Sequence, residues 1–207
     1  MKEIWQFARA TYWKDAFADP TYTHTEYTHD NDYMCISQRS GRVIIAFKGS
    51  DDIQDWISNM ITGIGDTEHK GFQESFNKFI PELNQYLADA PGLEIVVTGH
   101  SRGAALATQC AEFIADTLSL PCSCLAFASP RVGTKTFRNH YNKLPIDHTV
   151  IRNGWDIVTY LPTEILGYRH VGKSVRLKRP WYRKYSMTMR SLDHKSEAYD
   201  KSINKRG

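Results

Sequence analysis

The sequence predicts an α/β fold, a mostly parallel central sheet flanked by helices, in a minimal single domain over residues 1–207. Three observations lead there. Arg42–Lys48, Leu93–Thr98 and Cys122–Ala128 are short, nearly continuous apolar runs, the pattern of strands covered on both faces. Segments of helical period separate them, and strand-helix alternation of this kind builds parallel sheets. Third, Gly99-His100-Ser101-Arg102-Gly103 joins the second run to the small-residue stretch Ala104-Ala105-Leu106-Ala107, which makes a strand, a sharp turn and a helix in succession.

The remaining elements follow in order. Tyr33–Gln38 reads as an antiparallel neighbour of the first strand. Ile53, Trp56, Ile57, Met60 and Ile61 form one apolar stripe on a short helix opened by Asp51 and Asp52. Phe72, Phe76, Phe79, Ile80, Leu83 and Leu87 recur at helical spacing, with Pro81 as an expected kink. Ala104–Leu118 is the next helix, stopped by Pro121. A helix over Thr136–Tyr141, a strand over His148–Arg152, the turn Asn153-Gly154-Trp155-Asp156 and a terminal helix over Leu192–Ile203 complete the chain.

Composition narrows the class. With 207 residues, 41% of them apolar, the chain suits one core, and no repeat or interdomain linker interrupts it. The net charge of +3 implies no partner by itself, yet Lys173–Arg190 holds seven Lys or Arg and no acid. Cys35, Cys110, Cys122 and Cys124 lack metal-ligand spacing and read as reduced thiols, with Cys122 and Cys124 on one side of their strand. Met1–Ala8 has no apolar leader core, and no run approaches the roughly 18 apolar residues of a membrane span, so a cytoplasmic protein is expected, with peripheral membrane contact or signal-less export as variants.

The pentapeptide carries the chemistry. A serine on a strand-to-helix turn projects its hydroxyl above the sheet edge, and flanking glycines permit the strained backbone and the close helix approach. Ser101 is the candidate nucleophile. A serine hydroxyl needs an imidazole base, and the base needs a carboxylate to fix its tautomer. In the chain order serine, acid, histidine, Asp156 fits the acid because it follows a strand in a Gly-containing turn. Asp147 precedes its strand and falls at the wrong end, while Asp193 reads as a cap of the terminal helix. His170 and His194 both follow Asp156, and order alone does not separate them. The backbone N–H of Arg102, next after the nucleophile, is one candidate donor to an oxyanion.

Six segments in order resemble the class 3 lipase family, the fungal-lipase-like branch of the α/β-hydrolases, over roughly residues 40 to 203. They are Val43-Ile44-Ile45-Ala46-Phe47-Lys48-Gly49-Ser50 with Asp55-Trp56, His69-Lys70-Gly71-Phe72, Thr98-Gly99-His100-Ser101, Phe127-Ala128-Ser129-Pro130-Arg131-Val132-Gly133, Asp156-Ile157-Val158 with Leu161-Pro162, and Asp193-His194-Lys195-Ser196. The resemblance implies Asp156 as triad acid, His194 as base, His170 as a structural histidine, Ser50 as the second oxyanion residue rather than only a helix cap, and the Ile53–Ile61 stripe as a lid hinged at Gly63 and Gly65, the alternative being a helix fixed to the core. It implies hydrolysis of lipid acyl esters with no cofactor and no metal.

Two positions depart from the family, which has leucine where Arg102 stands and a second glycine where Ala104 stands. Arg102 either pairs with a nearby acid or meets an anionic headgroup. Lys173, Arg176, Lys178, Arg179, Arg183, Lys184 and Arg190, interleaved with Trp181, Tyr182 and Tyr185, suit an anionic membrane surface or a solvated face. Without any nucleic-acid module, no nucleic-acid partner is expected. This stretch favours phospholipid over triacylglycerol as substrate. The alternatives are a silent membrane- or polyanion-binding module, and a serine amidase or peptidase on the same triad. The sequence assigns no oligomeric state.

Overall fold

The structure, a computed structural model, describes residues 1–13, 19–52, 64–65, 67–88, 92–177 and 187–205, with the side chains of 187–190 left aside. The candidate lid stripe, Gly63, and positions 178–186 of the basic stretch lie outside the described residues.

The chain opens with helix α1 (Lys2–Ala10) and three antiparallel strands, β1 (Thr23–His29), β2 (Asp32–Arg39) and β3 (Arg42–Phe47). Helices α2 (Lys70–Asn77) and α3 (Ile80–Ala88) lead to β4 (Glu94–His100), and α4 (Arg102–Asp116) leads to β5 (Cys122–Phe127). Then come the short β6 (Gly133–Thr134), α5 (Lys135–Tyr141) and β7 (Ile146–Asn153), followed by two 3-10 turns, Ile157–Tyr160 and Glu164–Leu166. Strands β8 (Tyr168–Arg169) and β9 (Lys173–Leu177) precede the last helices, α6 (Met187–His194) and α7 (Ser196–Asn204). The main sheet has the order β1-β2-β3-β4-β5-β7-β9 and is parallel from β3 to β9, while β6 and β8 pair separately. This is the expected mostly parallel sheet flanked by helices.

Strand alternation builds two cores. Val43, Ile45, Phe47, Ile95, Val97, Cys122 and Cys124 point to one face and pack with Phe72, Phe79 and Leu83 of the α2–α3 region and Leu106, Cys110 and Ile114 of α4. Cys122 and Cys124 thus share a side, and all four cysteines are free and buried. Ile44, Ala46, Val96, Phe127 and Ile151 face the other way, against Ile4, Trp5 and Phe7 of α1 and Tyr199 and Ile203 of α7. The terminal helices are joined on this face, where Trp5 Nε1 donates to Asp200 at 2.6 Å and Arg9 pairs with the same carboxylate at 2.9 Å.

Three expectations are corrected. Pro81 does not kink a long helix: the chain breaks at Lys78–Phe79, and Pro81 occupies the first turn of α3, where its missing N–H goes unused. The terminal helix is two helices, interrupted at Lys195, whose ψ of 142° is extended. Asp193 caps neither: it is fully buried in the last turn of α6, and its carboxylate accepts the N–H of Trp155 at 3.1 Å. Gly65 is tied by its backbone to the hydroxyl of Tyr168 at 3.0 Å. Among the described residues no helix is long and apolar enough to cross a membrane.

Candidate active site

Parallel pairing brings the carboxyl ends of β3, β4, β5 and β7 to one edge of the sheet, and the candidate residues lie there. Ser101 sits between β4 and α4 with φ 60° and ψ −127°, a left-handed conformation that a residue with a Cβ adopts only under constraint. The glycines supply that constraint. A Cβ on Gly99 would strike the carbonyl of Gly103, and one on Gly103 would strike the backbone of Phe47 and Lys48. The turn therefore closes helix, strand and neighbouring strand into van der Waals contact, and the Ser101 N–H is fixed to the Phe127 carbonyl at 2.9 Å.

His194, the last residue of α6, reaches this turn. Its Nε2 lies 2.8 Å from Ser101 Oγ, and its Nδ1 lies 2.9 Å and 3.0 Å from the two carboxylate oxygens of Asp156. A carboxylate only accepts, so Nδ1 carries the proton and Nε2 is left to accept from the serine hydroxyl. All three residues are buried, the serine at 1% exposure. The arrangement can take a proton from Ser101 while holding the resulting imidazolium against a fixed negative charge.

Asp156 is itself held. It caps the 3-10 turn that follows, one oxygen accepting the Val158 N–H at 3.0 Å and the other the Tyr199 hydroxyl at 2.8 Å. The same hydroxyl accepts the N–H of Asn153 at 2.9 Å, which ties the carboxylate to the end of β7. Arg131 clamps the chain beyond it: the guanidinium donates to the carbonyls of Tyr160 and Pro162 and pairs with Glu164 at 2.8 Å. Sequence assigns no site role to Tyr199 or Arg131, since a tyrosine on an apolar helix face looks like packing and the segment holding Arg131 carries no catalytic group. Arg131 does fall in a motif, and the structure joins that motif to Leu161-Pro162.

The rival residues sit elsewhere. His170 Nε2 donates to the carbonyl of Thr159 at 2.7 Å, and burial lowers its pKa to about 4, so it pins the turn after Asp156 as a neutral ring. Asp147 lies at the amino end of β7, exposed, beside Lys173 at 3.2 Å.

Arg102 begins α4, where backbone N–H groups have no helical partner. Its guanidinium is 2.5 Å from the buried Asp32 carboxylate and 2.6 Å from Ser75 Oγ, so the pairing expectation holds over the headgroup one. Ser50 is half-buried and its hydroxyl donates to the Asp52 carbonyl at 3.0 Å. Both residues line a polar cleft of about 510 Å³, with Tyr12, Lys48 and Gly49.

A serine on a strained strand-to-helix turn, hydrogen-bonded through histidine to aspartate at the carboxyl edge of a parallel sheet, defines an α/β-hydrolase. Residues 44–166 match the family described as Lipase (class 3), and the chain belongs to that family. It is 30% identical to secreted mono- and diacylglycerol lipase A of Penicillium cyclopium, over 79% of this chain and 55% of that protein. It is 33% identical to phospholipase A1-II 5 of Oryza sativa subsp. indica, over 41% of this chain and 20% of that protein. The fold is similar to that of Rhizomucor miehei lipase in its propeptide complex, with a TM-score of 0.78 and 22% identity, covering 86% of this chain and 67% of that one. The chain spans about half the length of the curated relatives it matches.

Proposed function

We propose that this chain hydrolyses lipid acyl esters through an acyl-enzyme on Ser101. The observation that supports it most is the continuous relay from Ser101 Oγ through His194 to Asp156, with each link at 2.8–3.0 Å and every member buried. In this reading His194 Nε2 takes the hydroxyl proton as Oγ attacks the ester carbonyl, and returns it to the departing alcohol. Water then attacks the acyl-enzyme with His194 again as base, releasing the fatty acid and restoring Ser101. Asp156 stays ionised and stabilises the imidazolium. The backbone N–H groups of Arg102 and Ser50 receive the oxyanion, a contribution of about 10²–10³-fold per donor.

Among lipid esters, we place phospholipid ahead of triacylglycerol. The basic and aromatic stretch Lys173–Arg190 supports this order, while the names of the relatives, a phospholipase A1 and a mono- and diacylglycerol lipase among them, fit either substrate. Fatty-acid release from anionic phospholipid vesicles is compared with release from emulsified diacylglycerol and triacylglycerol, for wild type and Ser101→Ala. Serine-dependent release that is fastest from vesicles is expected. Faster release from the emulsions overturns the headgroup assignment, and release from none of them overturns the lipid-ester reading.

A further inference from the structure

Beside the relay lies a second buried histidine for which the scheme above has no role. His100, 3% exposed, directly precedes Ser101. Its Nε2 is 2.9 Å from the backbone carbonyl of His194, and its Nδ1 is 2.9 Å from the hydroxyl of Tyr12. A carbonyl only accepts, so Nε2 carries the proton. Burial holds the ring neutral, its pKa pushed well below the ordinary histidine value. Nδ1 is then an acceptor, and Tyr12 is the donor that fixes this tautomer.

Tyr12 is placed for that purpose by two neighbours. It follows α1, and its hydroxyl is packed so closely against Gly49 that a Cβ there would strike it. The carbonyl it serves indirectly needs a partner, because His194 ends α6 and the last carbonyls of a helix have none within it. An apolar side chain would fill the space among Trp5, Phe127 and Tyr199 equally well, so packing alone does not explain a histidine satisfied on both nitrogens.

We infer that Tyr12 and His100 are positioning residues for His194, acting through its backbone carbonyl. His100 and Ser101 are consecutive, so two bonds leave one rigid turn for the same residue: Ser101 Oγ to the His194 ring at 2.8 Å, and His100 Nε2 to the His194 carbonyl at 2.9 Å. Ring and backbone of the base are both referenced to the nucleophile's own peptide. Neutrality also matters, since the two imidazole centroids are 4.9 Å apart and a charge on His100 would oppose the imidazolium forming on His194. The inference rests on the reading of Ser101 and His194 as nucleophile and base.

The test is the second-order rate at which a fluorophosphonate labels Ser101, measured per folded molecule, together with kcat and KM on a short-chain ester. This rate reads nucleophile and base without requiring the natural lipid. His100→Leu is expected to lower the labelling rate and kcat by about 10²-fold with KM unchanged, the size of effect that misplacing a reacting group by about 1 Å produces. His100→Gln, which keeps an amide donor for the carbonyl, recovers at least tenfold of that. Tyr12→Phe removes one oxygen, leaves folding intact, and slows labelling about fivefold. Tyr141→Phe removes the equivalent hydroxyl from the buried Tyr141–His148 pair, 2.7 Å apart at the amino end of β7, and leaves the labelling rate at the wild-type value. Wild-type labelling rates in both His100→Leu and Tyr12→Phe overturn the positioning role while leaving Ser101 as nucleophile. No labelling of the wild type overturns the relay itself, and the inference with it.

Discussion

Arg102 shows how one departure from a family pattern is absorbed. Its guanidinium bridges the buried Asp32 and Ser75, and Asp32 also meets Lys78 at 3.2 Å, so the hairpin between β1 and β2 is tied to both α2 and the turn at Ser101. Removing the arginine leaves a 3%-exposed carboxylate with Lys78 as its remaining cation among the described residues. Arg102→Leu is therefore expected to destabilise the fold by about 3 kcal/mol, as breaking a buried pair does. Urea unfolding measures this, and activity on anionic and neutral esters should fall in equal proportion. A loss confined to anionic esters would contradict the pairing and restore the headgroup role. Motif spacing and chain order bring Ser101 and Asp156 forward as candidates, the family resemblance adds His194, and the structure sets the three side chains within hydrogen-bond distance of one another. Sequence leaves His170 and His194 level on order alone, and the geometry separates them: His170 meets the Thr159 carbonyl, His194 meets Ser101. Tyr12 and Tyr199 are illegible as site residues, because their partners lie 88 and 43 positions away and nothing local distinguishes them from core residues, whereas His100 stands in the pentapeptide itself and only its contact with the His194 carbonyl, 94 positions away, is hidden from sequence.

At the scale of elements, the elbow depends on how closely α4 approaches β3. Gly103→Ala would place a methyl group against the Phe47 carbonyl and the Lys48 backbone, neither of which is a flexible side-chain end. Overpacking at such a contact costs about 1–3 kcal/mol, and here the strain also displaces the peptide of Ser101. The expected outcome is a lowered thermal midpoint accompanied by loss of fluorophosphonate labelling in the protein that remains folded. Unchanged midpoint and labelling would show that the close approach is dispensable. The inner strands β3, β4 and β5 are legible because their interiors are buried or half-buried on both faces and their runs are largely apolar. The outer strands are not. β1 reads Thr-His-Thr-Glu-Tyr-Thr-His and β9 reads Lys-Ser-Val-Arg-Leu, each largely polar because an outer strand keeps much of its surface in water. α1 is hard to read from sequence for a related reason: its stripe of Ile4, Trp5, Phe7 and Ala8 has meaning only against the sheet face it covers. The break at Lys195 follows from tertiary demand, since it lets His194 end one helix at Ser101 while Tyr199 in the next reaches Asp156.

At the scale of the whole molecule, burial holds His100, His148 and His170 neutral among the described residues. Burial lowers His148 to about 3 and His170 to about 4, and His100 lies well below the ordinary value. An unfolded histidine titrates near about 6.5, so as pH falls below that value the unfolded chain binds protons that the folded one refuses. Each depressed histidine thus contributes stability that is present above about pH 6.5 and lost progressively as pH falls toward its folded pKa. Glu112 works in the opposite sense. Burial beside Glu68 and Asp116 raises it to about 8, so its contribution grows as pH falls from there to the ordinary carboxylate range and then stops. Three groups outweigh one below about pH 6, and below pH 4.5 Glu112 adds nothing further. The midpoint of urea unfolding should accordingly drop between pH 7 and pH 4.5, more steeply at the acid end. A midpoint that stays level over this range would mean that the rings are protonated in the folded state.

The claim on which the rest depends is that Ser101 is the activated nucleophile. Intact-mass analysis after exposure to a fluorophosphonate, with the adduct located by peptide mapping, addresses it directly. The relay at 2.8–3.0 Å predicts one adduct per chain, on Ser101, and none in Ser101→Ala. An unmodified wild-type protein, or an adduct that persists in Ser101→Ala, would contradict it.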